Sequence, residues 1–196
     1  QAREVVALDG RMLRERELRV FEIPAAAFDH GETRNLGIRL SRGERIVLLT
    51  QDAVPADLDF VAKLIRRLGE PGVAGVCGRQ IARPDCDVVT RRQLDSGLTG
   101  RLQPDRVQLA ARTLERLPPP EQQALCTFDN VCAALRRSVW EEIPFPKASF
   151  GEDIAWGRAV IRAGYAIAYE PSAAVIHSHR RTVRYEYQRT RECHRT

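Results

Sequence analysis

The sequence predicts an α/β fold in which a mostly parallel, twisted sheet is flanked by helices. The first observation is an apolar run at residues 45–50 that lacks the alternation of a strand with one face in water. The second is helical spacing at residues 58–68, which ends at Gly69 and Pro71 and is followed by another apolar run at residues 73–77. A strand, a helix and a strand in this order are typical of parallel sheets with right-handed crossovers.

The other elements are predicted from the same patterns, in chain order. Short apolar runs predict strands at residues 4–8 and 20–23. Residues 33–41, with two leucines four apart and a glycine just beyond, predict a helix. Further strands are expected at residues 131–135, 165–169 and 173–177, and further helices at residues 107–117, 137–142 and 154–163. A chain of 196 residues has room for one well-packed domain made of these elements.

Two features mark the less regular parts of the chain. Prolines interrupt residues 82–129, so we expect this stretch to be a lid or a substrate-facing insertion. The chain begins with Gln1 and its one methionine is Met12, so we expect that a preceding segment is missing. Residues 183–196 are expected to form a basic tail.

Composition excludes several classes of protein. A hydrophobic share of 43% with 29% charged residues indicates a globular chain, and no apolar run approaches membrane-spanning length. The formal charge is +5 and the pI is near 9.2, but the basic residues are spread along the chain and do not cluster with aromatic residues. No nucleic-acid partner is therefore predicted. A basic surface suits a diphosphate substrate or the anionic face of a membrane, and both remain open.

The cysteines and the start of the chain indicate a cytoplasmic protein. The five cysteines are odd in number and have no paired spacing typical of zinc sites, so we expect free thiols in a reducing compartment. No charged and apolar leader precedes the first predicted strand. Association with the inner face of a membrane is compatible with this location.

Acidic residues stand where chemistry is expected in such a sheet. Asp9 and Asp52 each follow a predicted strand, and ligands of open α/β sheets bind beyond the carboxyl ends of the strands. Either residue alone is better explained as a turn or cap residue. Glu152 and Asp153 open a predicted helix, where they could simply interact with its dipole. Two like charges in an aromatic setting also repel each other, which raises at least one pKa and suits that carboxylate to proton abstraction.

An ordered set of motifs gives the chain a family resemblance. The motifs are LLTQDAVP at residues 48–55, GRQ at 78–80, NVCAALRR at 130–137, GED at 151–153 and HSH at 177–179. Each is weak alone, but their order and approximate spacing resemble the family 2 glycosyltransferases, specifically the rhamnosyltransferase-like members, from about residue 4 to residue 182. The resemblance implies an inverting enzyme with the GT-A fold, from which this chain lacks the first strand and helix.

The resemblance also implies a site for the donor and for a metal ion. The donor would be a nucleoside-diphosphate sugar, with deoxythymidine-diphosphate rhamnose as the first choice. The implied donor-binding residues are Asp9, Arg34, Asn35, Asp52 and Arg79. A guanidinium such as that of Arg34 is well shaped for a diphosphate. Asp52 corresponds to the acidic metal motif, and with His179 as an additional ligand it would hold Mg²⁺ or Mn²⁺.

Glu152 and Asp153 resemble the catalytic pair of the family, with Asp153 as the general base. A single displacement, in which Asp153 takes the proton of an acceptor hydroxyl, would invert the anomeric carbon. The acceptor is an unidentified glycan, lipid-linked or other hydroxyl compound, and the oligomeric state is not predicted. In this interpretation residues 1–182 form the catalytic domain, and residues 82–129 are its acceptor-side insertion or lid.

Two other functions remain open on sequence alone. A non-catalytic module derived from a transferase would explain the single carboxylate of residues 51–53 and the missing start, but the intact pair at Glu152 and Asp153 argues against it. A nucleotidyltransferase would share the α/β sheet but normally carries a glycine-rich phosphate loop at its start, and no such loop is visible.

Overall fold

A computed structural model describes residues 19–148 and 151–179. Asp9, Cys193, the predicted strand at residues 4–8 and the tail at residues 183–196 lie outside the described residues. The predictions for them therefore stay predictions.

Helices and strands alternate along most of the described chain. The helices are α1 His30–Leu40, α2 Phe60–Leu68, α3 Val88–Ser96, α4 Ala111–Glu115, α5 Pro119–Leu125, α6 Arg137–Glu142 and α7 Glu152–Arg162. The strands are β1 Arg45–Leu49, β2 Val54–Pro55, β3 Val73–Ile81, β4 Asp105–Val107, β5 Cys132–Arg136 and β6 Ala166–Ile176. A short 3₁₀ helix at Ala25–Ala27 precedes α1.

The six strands form one mixed sheet with the order β1-β5-β3-β6-β2, and β4 also pairs with β6. The pairing of β3 with β6 is parallel, and the other pairings among the described strands are antiparallel. The predicted α/β class with flanking helices is confirmed, whereas the described sheet is mixed rather than mostly parallel. An apolar run indicates burial on both faces of a strand, but it does not encode the direction of the neighbouring strand.

The topology brings one set of strand ends to the same edge of the sheet. Both β1 and β3 run antiparallel to β5, and β6 runs parallel to β3. Three strands therefore point in one direction, and their carboxyl ends meet where β5 begins. Ligands of open α/β sheets bind at such an edge.

Each face of the sheet is covered by its own apolar layer. On one face an aromatic cluster packs under α7: the ring centroid of Trp156 lies 4.5 Å from that of Phe128 and 5.3 Å from that of Phe145. A Cβ atom at Gly75 would lie 2.7 Å from Phe128 and 2.9 Å from Trp156, so the cluster requires glycine there. On the other face α2 buries Leu64 and its apolar neighbours against the strands.

Four predicted strands differ from the structure. Residues 20–23 form no strand, and the two strands expected at residues 165–169 and 173–177 are the single strand β6. The run at residues 45–50 is not fully buried, because β1 pairs with β5 alone among the described strands; Ile46 is buried and Leu49 is 44% exposed.

The segment at residues 82–129 is partly built into the fold. It contains α3, α4 and α5, and its strand β4 joins the sheet beside β6. Leu114, Cys126 and Phe128 from this segment are buried in the aromatic layer. The helix expected at residues 107–117 is the shorter α4, which follows β4. A role of this segment toward an acceptor stays a prediction.

Two expectations from composition concern the described residues directly. None of the helices at residues 19–148 and 151–179 has the length and apolar character needed to cross a bilayer. The described cysteines, Cys77, Cys86, Cys126 and Cys132, are free thiols. Burial raises the pKa of Cys77 to about 12, so this thiol is unreactive near neutral pH.

Candidate functional site

Polar side chains gather at the edge where β1, β3 and β6 end. Asp52 follows β1, Gln80 is the penultimate residue of β3, and His177 and His179 follow β6. Asp129 stands just before β5, which begins at this edge. The shared strand direction thus unites residues that are far apart in the sequence.

Asp52 and two histidines form a group with the geometry of a metal site. The Asp52 carboxylate places Oδ1 3.4 Å from His177 Nε2 and Oδ2 3.5 Å from His179 Nδ1. One ligand atom from each residue lies within 4.8 Å of the others. His177 is 6% exposed, whereas the side chain of His179 is 49% exposed, so the group opens to solvent on one side. A carboxylate and two imidazoles are ligands that fit a divalent metal ion.

Arg83 links the turn that contains Asp52 to the segment that contains the two histidines through hydrogen bonds. Arg83 donates a guanidinium hydrogen bond of 2.6 Å to the main-chain carbonyl of Asp52. The main-chain N–H of Arg83 donates at 3.1 Å to Oγ of Ser178, which lies between the histidines. Arg83 therefore fixes the relative position of the two segments.

A partly buried hydrogen-bond chain connects His177 to Asp129. Gln80 Oε1 lies 2.8 Å from His177 Nδ1, and Gln80 Nε2 donates to Oδ2 of Asp129. The other carboxylate oxygen of Asp129 accepts from the main-chain N–H of Val131 at 2.8 Å. Burial raises the pKa of Asp129 above its ordinary value.

The predicted catalytic pair opens α7. Gly151 precedes the helix with a φ of 76°, a left-handed conformation that suits glycine. Glu152 is 5% exposed, and its Oε1 lies 2.9 Å from Nη1 of Arg34 and 3.3 Å from Nδ2 of Asn130. Its charge is therefore compensated by a guanidinium inside the protein.

Asp153 is adjacent in sequence but has a different environment. It is partly exposed, and its Oδ1 accepts a 2.8 Å hydrogen bond from the main-chain N–H of Ile154. Burial raises the pKa of Asp153 to about 7, and the negative charges of Glu152 and Asp129 act in the same direction. Within residues 19–148 and 151–179 no basic side chain forms a salt bridge with it. This carboxylate can hold a proton near neutral pH.

The predicted donor-binding residues do not all lie together in the structure. Asp9 lies outside the described residues. Asn35 is buried and supports the fold: its Oδ1 accepts from Trp140 Nε1 at 2.8 Å, and its Nδ2 donates to the carbonyl of Phe145 at 2.8 Å. Arg79 lies on β3, and its Nε is buried without a hydrogen-bond partner among the described residues. Of this set, Asp52 and Arg34 are in contact with other site residues.

Sequence reasoning assigned no role to three site residues. His177 and Gln80 belong to the HSH and GRQ motifs, and Asp129 is the last residue of the segment predicted to be an insertion. One signal was available for His177, because residues two apart in an extended segment point to the same side, as His177 and His179 do. Nothing in the sequence indicated that Gln80 and Asp129 would meet.

Comparison with known proteins gives consistent matches. The profile of the family described as "Glycosyl transferase family 2" matches residues 11–143. The O-antigen chain rhamnosyltransferase RfbN of Salmonella typhimurium is 33% identical over 181 residues, which are 89% of this chain and 54% of that protein. The O-antigen chain rhamnosyltransferase WbaN of Salmonella anatum is 31% identical over 177 residues, which are 87% of this chain and 52% of that protein. The chain thus spans about half the length of the curated relatives it matches.

A solved structure shares the fold. The mannosyltransferase PcManGT from Pyrobaculum calidifontis, solved with GDP-Man and Mn²⁺, superposes with a TM-score of 0.54 at 19% identity. The match covers 83% of this chain and 39% of that one.

Proposed function

The chain belongs to glycosyl transferase family 2 and has the GT-A fold, and we propose that it transfers a sugar from a nucleoside diphosphate to an acceptor hydroxyl with inversion. The observation that carries this proposal is the unequal carboxylate pair. Arg34 compensates the charge of Glu152, whereas Asp153 has a pKa near neutrality. The relatives named above are rhamnosyltransferases that act on O-antigen chains. They support rhamnose as the sugar and a glycan as the acceptor.

Asp153 is the general base of the proposed reaction. A base works best when its pKa is close to the working pH, because it is then largely ionised and still holds a proton firmly. Asp153 takes the proton of the acceptor hydroxyl as that oxygen forms a bond to the anomeric carbon. The bond from this carbon to the diphosphate oxygen breaks, and the electron pair leaves with the nucleoside diphosphate. One displacement inverts the configuration.

Glu152 positions its neighbours in this proposal and does not take the proton. Its Oε1 already accepts hydrogen bonds from Arg34 and Asn130, and its side chain is almost inaccessible to an acceptor. Its charge adds to the burial that raises the pKa of Asp153. Glu152 therefore tunes the base through the electric field at the start of α7.

Asp52, His177 and His179 are the proposed ligands of a divalent metal ion. Mg²⁺ prefers oxygen ligands, whereas two imidazoles beside a carboxylate are compatible with a divalent transition-metal ion, of which Mn²⁺ is the one that also accepts oxygen-rich sites. The Mn²⁺ in the PcManGT complex is consistent with this preference. A bound ion would neutralise negative charge on the departing diphosphate.

Further donor contacts are proposed for residues close to this edge. Arg79 is partly exposed, and a guanidinium suits a phosphate or sugar oxygen. Arg34 stands beside Glu152 at the start of α7, and Asp9 is proposed for the nucleoside. Asn35 is omitted because its side-chain hydrogen bonds support the α6 region. We expect the protein to act in the cytoplasm, with association at the inner face of the membrane as part of this proposal.

The test uses the full chain and separates binding from transfer. Deoxythymidine-diphosphate rhamnose is incubated with a lipid-linked glycan acceptor, with and without Mn²⁺, and the anomeric configuration of the product is determined by NMR. We expect an inverted glycoside that forms in the presence of the ion. Binding of nucleoside diphosphates without transfer to any acceptor would favour a non-catalytic module. Formation of a sugar nucleotide from a nucleoside triphosphate would favour a nucleotidyltransferase.

A further inference from the structure

We infer that Gln80 is a positioning residue for the metal group and holds His177 with the lone pair of Nε2 directed at Asp52. Gln80 lies on β3, is 8% exposed and does not belong to the proposed ligand set itself. It stands between the ligand His177 and the carboxylate of Asp129. The inference deepens the proposed function and rests on its metal site.

The tautomer of His177 follows from the atoms that face each other. Nδ1 of His177 lies 2.8 Å from Oε1 of Gln80, and a carbonyl oxygen can only accept a hydrogen bond. Nδ1 therefore carries the proton, and in the neutral imidazole Nε2 is left with a lone pair. That Nε2 lies 3.4 Å from a carboxylate oxygen of Asp52. Two electron-pair donors that converge in this way favour a cation between them.

Asp129 determines which end of the Gln80 amide faces the histidine. Gln80 Nε2 donates to Oδ2 of Asp129, and Oδ1 of Asp129 is engaged by the N–H of Val131. Turning the amide over would point its carbonyl oxygen at the carboxylate and its NH₂ group at the N–H of His177. Both mismatched pairs would leave polar groups without hydrogen-bond partners away from water, which is unfavourable. The reverse order of donors would require a proton on Asp129 and would place the His177 proton on Nε2, so the position of the His177 proton distinguishes the two orders.

Metal-binding histidines usually donate their other ring N–H to a second polar group, and Gln80 is in that position for His177. A group that accepts from the distal ring N–H orients the imidazole and raises its basicity toward the metal. Loss of such a partner typically weakens metal affinity by about 10–100-fold. Gln80 should therefore influence metal affinity without contact with the metal.

In the first experiment the protein is titrated with Mn²⁺ alone, and electron paramagnetic resonance measures how much of the ion is bound. Gln80→Met keeps the length of the side chain and removes the acceptor, and we expect about 10–100-fold weaker binding. Gln93→Met, at an exposed position of α3, is the matched control and should bind as the wild type does. Wild-type affinity in Gln80→Met would overturn the inference.

A double variant tests the order of donors and acceptors. Gln80→Glu combined with Asp129→Asn moves the negative charge from residue 129 to residue 80. The double variant keeps an oxygen that accepts from His177 and gives residue 129 an amide that can donate to residue 80. We expect it to retain Mn²⁺ affinity within a few-fold of the wild type. A loss as large as that of Gln80→Met would overturn the inference, because packing and not hydrogen-bond order would then set the affinity.

The second readout needs no metal, and it separates the orienting role of Gln80 from the proposed metal site. Nitrogen NMR of histidine-labelled protein at mildly alkaline pH should show His177 protonated at Nδ1, and Gln80→Met should show a mixture of tautomers. A wild-type His177 protonated at Nε2 would overturn the inference. If the wild type shows the Nδ1 tautomer but does not bind Mn²⁺, the orienting role of Gln80 is supported and the proposed metal site fails.

Discussion

The two polar regions of the site compensate their charges in different ways. In the strand-end cluster, made of Asp52, His177, Gln80 and Asp129, each side chain faces a neighbouring polar partner. In the carboxylate pair at the start of α7, one member is matched by a cation and the other is not. A network of hydrogen bonds holds its groups in fixed orientations even where burial raises the pKa of a member such as Asp129, whereas Asp153 combines a raised pKa with partial exposure. The first region is suited to binding and the second to proton transfer.

The largest effect expected from this comparison is on Asp153. Asp153→Asn keeps the size of the side chain and removes its capacity to accept a proton, so turnover should fall by about 100-fold or more while donor binding changes little. Steady-state transfer and nucleotide affinity are measured separately on the full chain. Asp95→Asn, at an exposed position of α3, serves as the control. Turnover equal to that of the wild type would remove Asp153 as the base.

A change in the strand-end cluster should act on binding instead. Asp52→Ala deletes the carboxylate that faces both histidines, so we expect the Mn²⁺-dependent part of donor affinity to weaken by about 10–100-fold. Calorimetric titration with a nucleoside diphosphate, with and without Mn²⁺, measures this. The control is Asp59→Ala, because Asp59 is exposed and its side chain makes no capping hydrogen bond to α2. An unchanged response to Mn²⁺ would make Asp52 a turn residue only.

The pKa of Asp153 predicts the pH dependence of transfer. In the proposed mechanism the ionised form of Asp153 is the active base, so turnover should rise with pH up to about 7 and then level off. One pH unit below this pKa, turnover should be roughly tenfold lower. The profile of single-turnover transfer measures it directly. A profile that is flat down to the ordinary pKa of a carboxyl group would contradict the raised value.

The smallest effect concerns stability, and its sign should differ between the two carboxylates. The folded-state pKa of Asp153 lies above its ordinary value of 3.8, so the folded protein loses stability as pH rises through this range to about 7. At alkaline pH Asp153→Asn should therefore raise the melting temperature. Glu152→Gln should lower it, because Arg34 loses its anionic partner. Each kcal/mol of change in the free energy of unfolding should shift the melting temperature by roughly 2–4 °C. Shifts of the same sign would refute the unequal compensation.

Local patterns predicted elements better than they predicted strand pairing. The helix expected at residues 137–142 coincides with α6, and α7 was expected within two residues of its start. The break expected inside β6 contains Pro171, which ordinarily interrupts a strand. In the structure the register between β3 and β6 shifts between Gly78 and Arg79, where their partners move from Glu170 to Ala174. A proline is tolerated at such an irregularity, which a single strand pattern cannot reveal.

The sequence by itself determined the fold class, the family and the carboxylates Asp52 and Asp153 as candidates. These depend on apolar periodicity, which is a property of neighbouring residues, and on the order of short motifs along the chain. Tertiary structure alone decided which member of the carboxylate pair is compensated, because Arg34 on α1 reaches Glu152 on α7. It also decided that His177, Gln80 and Asp129 form one chain, because strand direction brings three distant segments to the same edge. Hydrogen bonding and pKa depend on what surrounds a side chain in space, and local sequence patterns do not specify those surroundings.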